Sequence, residues 1–305
     1  MRKIFYLLFI SSIFCQVTSD ISFNTSKSLS LAGAVVSDPG TIESVFYNPA
    51  GLSKIEKSEL IIGNTNFYNQ SFLTYNYVSY LFCNNKSSEN IAITVQNLSV
   101  NSDYSLNDNW LNPNNELSSE IAVSLSQGFD LLNDKNSTLS IGYSLNYLKL
   151  NQGSSAGVSG DGSDGLSSSS ISSVGIDVGV LSSLRKKVTL GAYIKNINSP
   201  HLSKGPSMQY LPRKLSIGVT YLPFPQIKTN FQIEKLLGSS ENQFRFGIEY
   251  ELNQYILVRT GIQMKPNRYG VGFAYMPNDN MKISFGMLTH PVLSTSNNFD
   301  ISIYF

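Results

Sequence analysis

The chain alternates between large apolar and small or polar residues. In Leu215-Ser216-Ile217-Gly218-Val219-Thr220-Tyr221 every second residue is apolar and large. Phe244 to Tyr250, Tyr269 to Tyr275 and Met281 to Met287 repeat the rule, as do Leu139 to Tyr147 and Val188 to Ile194. A period of two puts the apolar set on one face of a strand and the polar set on the other. About fourteen such runs follow one another, near 58–67, 71–83, 90–100, 119–129, 136–150, 169–182, 187–196, 212–221, 226–235, 242–251, 255–264, 266–275, 280–288 and 296–305. Most are close to the roughly ten residues that a tilted strand needs to cross a bilayer. No amphipathic helix is readable after Ser58.

The joins between runs alternate in length. Those at 84–89, 130–135, 183–186, 222–225, 252–254 and 276–279 are short, whereas the intervening ones include 101–118, 151–168, 197–211 and 289–295. Short turns at one end and longer loops at the other are the pattern of an up-and-down membrane barrel, with the turns on the periplasmic side. In the last run Phe299, Ile301, Ile303 and Phe305 alternate with Asp300, Ser302 and Tyr304, and Phe305 ends the run. Such a strand closes a barrel against its first strand and leaves no edge facing lipid. It also looks like a barrel-insertion signal, which makes the barrel-assembly machinery an expected partner. The fold class expected is all-β: a transmembrane antiparallel β-barrel of about fourteen strands. The competing reading is a soluble β-sandwich or barrel whose last strand ends in Phe.

Composition separates the two. Charged residues are 14% of the chain, against about 25% in soluble domains, while Tyr and Phe number 17 each. That suits an outer surface facing lipid. Arg2 and Lys3, the apolar run Ile4 to Phe14 and the small residues Val17-Thr18-Ser19 read as a signal peptide over residues 1–19. The 22 basic residues, less the two in the leader, then face 21 acidic ones, a balance with no electrostatic case for nucleic acid. Only Cys83 remains after the leader, so no intrachain disulfide is expected. The expected location is the outer membrane of a diderm bacterium, in contact with its lipid.

Residues 20–57 do not join the alternation. Asn48-Pro49 is a turn initiator, and Ala50-Gly51 allows close backbone approach. Yet Val45, Phe46, Tyr47 and Leu52 around them are large and apolar, as in a turn packed inside something. The expectation is an N-terminal hatch folded into the lumen of a barrel spanning 58–305. Glycines at 175, 179, 191, 218, 247, 261, 270, 272 and 286 fall at inward positions and would keep the lumen wall low.

Leu31-Ala32-Gly33-Ala34 followed by Ser37-Asp38-Pro39-Gly40 and Phe46-Tyr47-Asn48-Pro49-Ala50-Gly51-Leu52 resembles the N-terminal signature of the FadL-like outer-membrane barrels. That superfamily includes long-chain fatty-acid transporters and the PorV/PorQ proteins of type IX secretion. The resemblance implies fourteen strands and a luminal hatch, with Asp38 and Phe46 to Leu52 as its motif. The loops are short for a fatty-acid transporter, and 151–168 is rich in Gly and Ser. These points favour the PorV/PorQ-like branch.

Lys228, Glu234, Arg245, Glu249, Arg259 and Arg268 occupy inward-alternating positions, because Arg or Lys on the lipid face at mid-depth costs ~2–4 kcal/mol. They form either a polar path or a structural network holding the hatch. The rule that buried charges are paired favours the network. His201 and His290 lie beside prolines in loops, and no nucleophile motif accompanies them. Asp161 and Asp164 lack the further ligands of a calcium loop. Tyr104 and Trp110 are candidates for gripping a partner or for anchoring at the interface. No enzyme activity, metal or cofactor is expected. Two functions are carried forward. One is a barrel that hands over secreted proteins at the surface, with secreted proteins or secretion-system components as partners. The other is a transporter of a hydrophobic small molecule such as a long-chain fatty acid.

Overall fold

Backbone groups in a bilayer must all be paired, and a sheet achieves this only by closing on itself. The computed structural model describes residues 23–84, 89–101, 116–154, 165, 167–201, 210–238 and 240–305. Its strands are β1 (Glu59–Asn66), β2 (Leu73–Phe82), β3 (Glu89–Asn101), β4 (Glu116–Asn133), β5 (Ser137–Gln152), β6 (Ser169–Leu184) and β7 (Val188–Lys195). They continue as β8 (Lys214–Phe224), β9 (Ile227–Leu236), β10 (Asn242–Asn253), β11 (Ile256–Met264), β12 (Arg268–Asn278), β13 (Met281–Leu288) and β14 (Ser296–Tyr304). Each pairs with its sequence neighbours, and β1 pairs antiparallel with β14 from Glu59↔Tyr304 to Asn66↔Asn297, which closes the barrel. The strand boundaries fall within four residues of those expected from alternation.

The two faces of the wall differ as the period of two requires. On β11, Val258, Ile262 and Met264 are exposed, while Leu257, Arg259, Gly261 and Gln263 are buried. Exposed apolar side chains continue round the outside, among them Ile62, Val95, Leu125, Tyr147, Leu190, Ile217, Phe246 and Phe273. An apolar band of that extent is incompatible with water and matches lipid. Among the described residues no helix is long and apolar enough to cross a membrane.

The wall is not of even height. β4, β5 and β6 have 18, 16 and 16 residues, whereas β7 has 8. The short joins β2–β3, β4–β5, β6–β7, β8–β9, β10–β11 and β12–β13 share one end with Glu59 and Tyr304, here termed the turn end. The opposite end is the loop end.

Candidate functional site

The barrel encloses a segment of its own chain. Phe23 starts near the loop end, where its ring lies 5.1 Å from the Arg245 guanidinium carbon and 5.3 Å from that of Arg268. Asn24 O accepts from Thr65 Oγ1 (3.0 Å) and Asn298 Nδ2 (3.3 Å). The helical turn Ser26–Ser30 follows, N-capped by Thr25, whose Oγ1 accepts from Ser28 N–H at 3.3 Å. The chain then passes through two 3-10 segments, Ile42–Phe46 and Pro49–Lys54. Ile55 O accepts from Asn90 Nδ2 (2.8 Å) near the turn end, where β1 begins. Leu29, Leu31, Ala32, Ile42, Ala50 and Leu52 are fully buried.

Glycines of the wall make this fit possible. A Cβ at Gly261 would collide with the Leu31–Ala32 backbone, one at Gly191 with Val36–Ser37, and one at Gly286 with Ser26. Gly128 and Gly142, absent from the sequence-derived set, face Pro49–Ser53 and Pro49–Ala50 in the same way. Gly175 differs: its neighbours are Asn196 and Pro200.

The signature block is a clamp. Asn48 Nδ2 donates to Val36 O (2.8 Å) within the segment and to Val180 O (3.1 Å) on β6. Its Oδ1 accepts from Ala50 N–H (3.2 Å), with Pro49 at the first helical position. A side chain at Gly51 would strike Ser44. Phe46 meets Tyr77 edge-on at 5.3 Å between ring centroids, and Tyr75 packs 5.7 Å from Tyr77. Such pairs contribute about 0.5–1.5 kcal/mol beyond area burial. Tyr47 hydroxyl bonds Thr25 Oγ1.

Charge joins segment to wall. Asp38, with a fully buried carboxylate, pairs with Lys27 (2.9 Å) from its own segment and with Lys228 (3.0 Å) from β9. Lys228 also reaches Glu249 (3.1 Å), which accepts from Arg259 Nε at 2.7 Å. The chain Lys27–Asp38–Lys228–Glu249–Arg259 therefore runs from the segment across three adjacent strands. Burial alone would raise the Asp38 carboxyl, but Lys228 and Lys27 outweigh it and hold it below the ordinary carboxylate range. Glu43 is likewise raised by burial and lowered more by Lys282, Lys27 and Arg259. Lys282 Nζ lies 3.8 Å from Glu43 Oε2.

Five of the six wall charges anticipated from alternation thus fall into two groups, Lys228–Glu249–Arg259 and Arg245–Glu234 (2.8 Å). Arg245 Nη1 also donates to Gly33 O (3.4 Å). Arg268 has a ring rather than a carboxylate as its partner, since it stacks over Phe23. Alternation did not single out Glu59, Lys282 or Asp300. Glu59 Oε2 accepts from Ile42 N–H (3.1 Å), and Asp300 Oδ2 accepts from Ser26 N–H (3.0 Å) and Tyr77 hydroxyl (3.1 Å). On β14, Phe299 and Ile303 are exposed and Ile301 half-buried, while Asp300 and Ser302 face inward. Phe305 N–H donates to Ser58 O (2.9 Å) and its ring is exposed.

Among the described residues the cavities near the segment differ in size. Two of about 30 Å³ each lie above the segment, one lined by Phe46, Ala122, Leu148, Asp177 and Tyr193, the other by Val35, Gln232 and Arg245 among others. A cavity of about 720 Å³ opens at the turn end, bounded by Asp38, Lys54, Asn90, Asp130, Lys186 and Lys228. His290 Nδ1 accepts from Val292 and Leu293 N–H (3.2 and 2.9 Å) and so shapes a turn. His201 pairs with Tyr210. The leader at 1–19, Tyr104, Trp110, Asp161 and Asp164 lie outside the described residues.

Comparison with solved structures gives the Pseudomonas putida toluene transporter TodX (13% identity, TM-score 0.59, 92% of this chain and 97% of that one). It also gives the Ralstonia pickettii toluene transporter TbuX (12%, 0.59, 93% and 98%) and a Pseudomonas aeruginosa FadL homologue (10%, 0.58, 92% and 98%). At these identities the likeness shows the fold alone. No curated protein matches the chain. The family described as type IX secretion system membrane protein PorP/SprF matches residues 105–304, from before β4 to the end of β14. The resemblance in the N-terminal signature had pointed to PorV/PorQ; the match lies in the same secretion system, and this chain belongs to the PorP/SprF family of type IX secretion system membrane proteins.

Proposed function

We propose that the protein is a non-enzymatic outer-membrane component of type IX secretion that handles exported proteins at its rim and not through its bore. The family match over 105–304 carries this reading. What supports the second half is the filled lumen: buried ion pairs and glycine-allowed backbone contacts hold the segment, and two cavities above it among the described residues are of about 30 Å³ each. A surface handover like that of the PorV/PorQ branch is the finer form of the proposal. Its partners are outer-membrane lipid, the barrel-assembly machinery that inserts it, and secreted proteins or secretion-system components. Extraction in mild detergent followed by mass spectrometry tests it. Stoichiometric secreted or secretion-machinery proteins are the expected companions. A bound apolar small molecule with no protein partner would overturn the reading.

That second outcome belongs to the transporter reading, in which a hydrophobic solute crosses the barrel. It draws on the shared fold with channels described as toluene transporters. A transporter of that kind needs an apolar pocket reaching the luminal segment, whereas the large cavity here sets Asp38, Lys54, Asp130, Lys186 and Lys228 among Ile55 and Leu222.

A further inference from the structure

β6 is twice the length of β7. The two pair only from Val178↔Ile194 to Leu184↔Val188, while β5 pairs with β6 along its whole length, to Gln152↔Ser169. Residues 169–177 therefore have a second edge that β7 does not cover. The divergence is built in. Asn196 and Ser199 take left-handed conformations (φ 55 and 46). Asp177, buried on the inner face, accepts from Asn196 N–H at 2.7 Å and from Tyr193 hydroxyl at 2.9 Å. The chain leaving β7 keeps to this edge as far as Ile197, whose N–H donates to Ile176 O (2.8 Å), and then passes over Gly175 with Pro200.

One side chain shows what this edge takes as a partner. Ile176 N–H donates to Asn198 Oδ1 (3.0 Å), and Asn198 Nδ2 donates to Val174 O (2.7 Å). The carboxamide does what a peptide group of a neighbouring strand would do. By alternation, the N–H and C=O of Ser172 and Ser170 and the N–H of Val174 point along the same edge, and no described strand pairs with them. Ser170, Ser172 and Val174 are exposed. From Ser169 to Ile176 there is no charged residue and no proline, the devices by which edges are usually blunted.

We propose that this upper edge of β6, residues 169–174, receives an extended, uncharged segment of an exported protein as an added strand. The source of that segment rests on the secretion reading; the edge does not. An occupant of about five residues buries far less than the ~1,200 Å² of a stable interface, so the docking is transient. That suits handover and disfavours a second copy of this chain held permanently at the same edge.

Hydrogen exchange on the full-length barrel in detergent tests the proposal. The probe is a capped peptide of alternating Val and Thr. Exchange of the Ser170, Ser172 and Val174 amides should slow roughly tenfold or more, about 1.4 kcal/mol, with that peptide and not with its alternately N-methylated form. Ser172→Lys should abolish the effect. Ser172→Pro should do the same, since it removes an edge N–H without touching the β5 ladder. Unchanged exchange with the peptide overturns the proposal. So does full protection without peptide, whether constant (the chain's own loops) or rising with barrel concentration (a second copy). Such a failure leaves the secretion reading intact, because co-purification tests that separately.

Discussion

Asp38 of the luminal segment and Lys228 of β9 form an ion pair of 3.0 Å, and Lys228 carries the contact on to Glu249 at 3.1 Å. One wall lysine therefore couples the segment to the barrel. Loss of Asp38 leaves Lys228 with Glu249 but the buried Lys27 without its carboxylate, and an uncompensated buried charge costs about 3–5 kcal/mol.

Asp38→Asn is accordingly expected to loosen the segment while the sheet stays closed. Trypsin should then cut at Lys27 and Lys54 in detergent-folded protein that still migrates as a folded barrel on unheated gels. Equal protection in wild type and variant would count against the coupling. The pH dependence follows from the lowered carboxyl. A depressed folded value means that the contribution is complete above the ordinary Asp value of 3.8 and is lost only as pH falls through the lower folded one. The wild-type segment should therefore resist an acid protease such as pepsin down to about pH 4.

The glycine positions make a separate prediction. Gly261→Ala and Gly142→Ala place a Cβ against the backbone of Leu31 and of Pro49–Ala50. Overpacking of this kind costs about 1–3 kcal/mol, visible as earlier thermal loss of the folded gel form. Gly175→Ala meets Asn196 and Pro200 and no part of the segment, so its segment should remain as trypsin-resistant as wild type.

Phe23 near the loop end, between Arg245 and Arg268, sets the direction of the segment. A protease site inserted just before Phe23 should be cut from outside in intact cells. Cleavage only after the membrane is opened would reverse the assigned direction.

The sequence carried the strands and the polarity of the wall because both rest on one period. Lys228, Glu249 and Arg259 could be placed inward from their neighbours alone, since Ile227, Ile248, Val258 and their like need lipid. The same signal would have reached Lys282 and Asp300, which alternate with Ile283 and Ile301. Lys27 and Glu43 lie in a stretch without periodicity, so their pairing with the wall was not readable. Arg268 misled the rule that buried charges find opposite charges, because an aromatic face served instead. The runs 136–150 and 169–182 already exceeded 187–196, but the inward turn after Lys195 was hidden, because it depends on Asp177, distant in sequence from Asn196.

Conductance in planar bilayers tests most directly the claim that the bore is closed and work is done at the rim. The account predicts that the full-length barrel passes no steady ion current and that a barrel lacking residues 23–57 forms a stable open pore. A full-length barrel already conducting at the level of the deletion variant would contradict it.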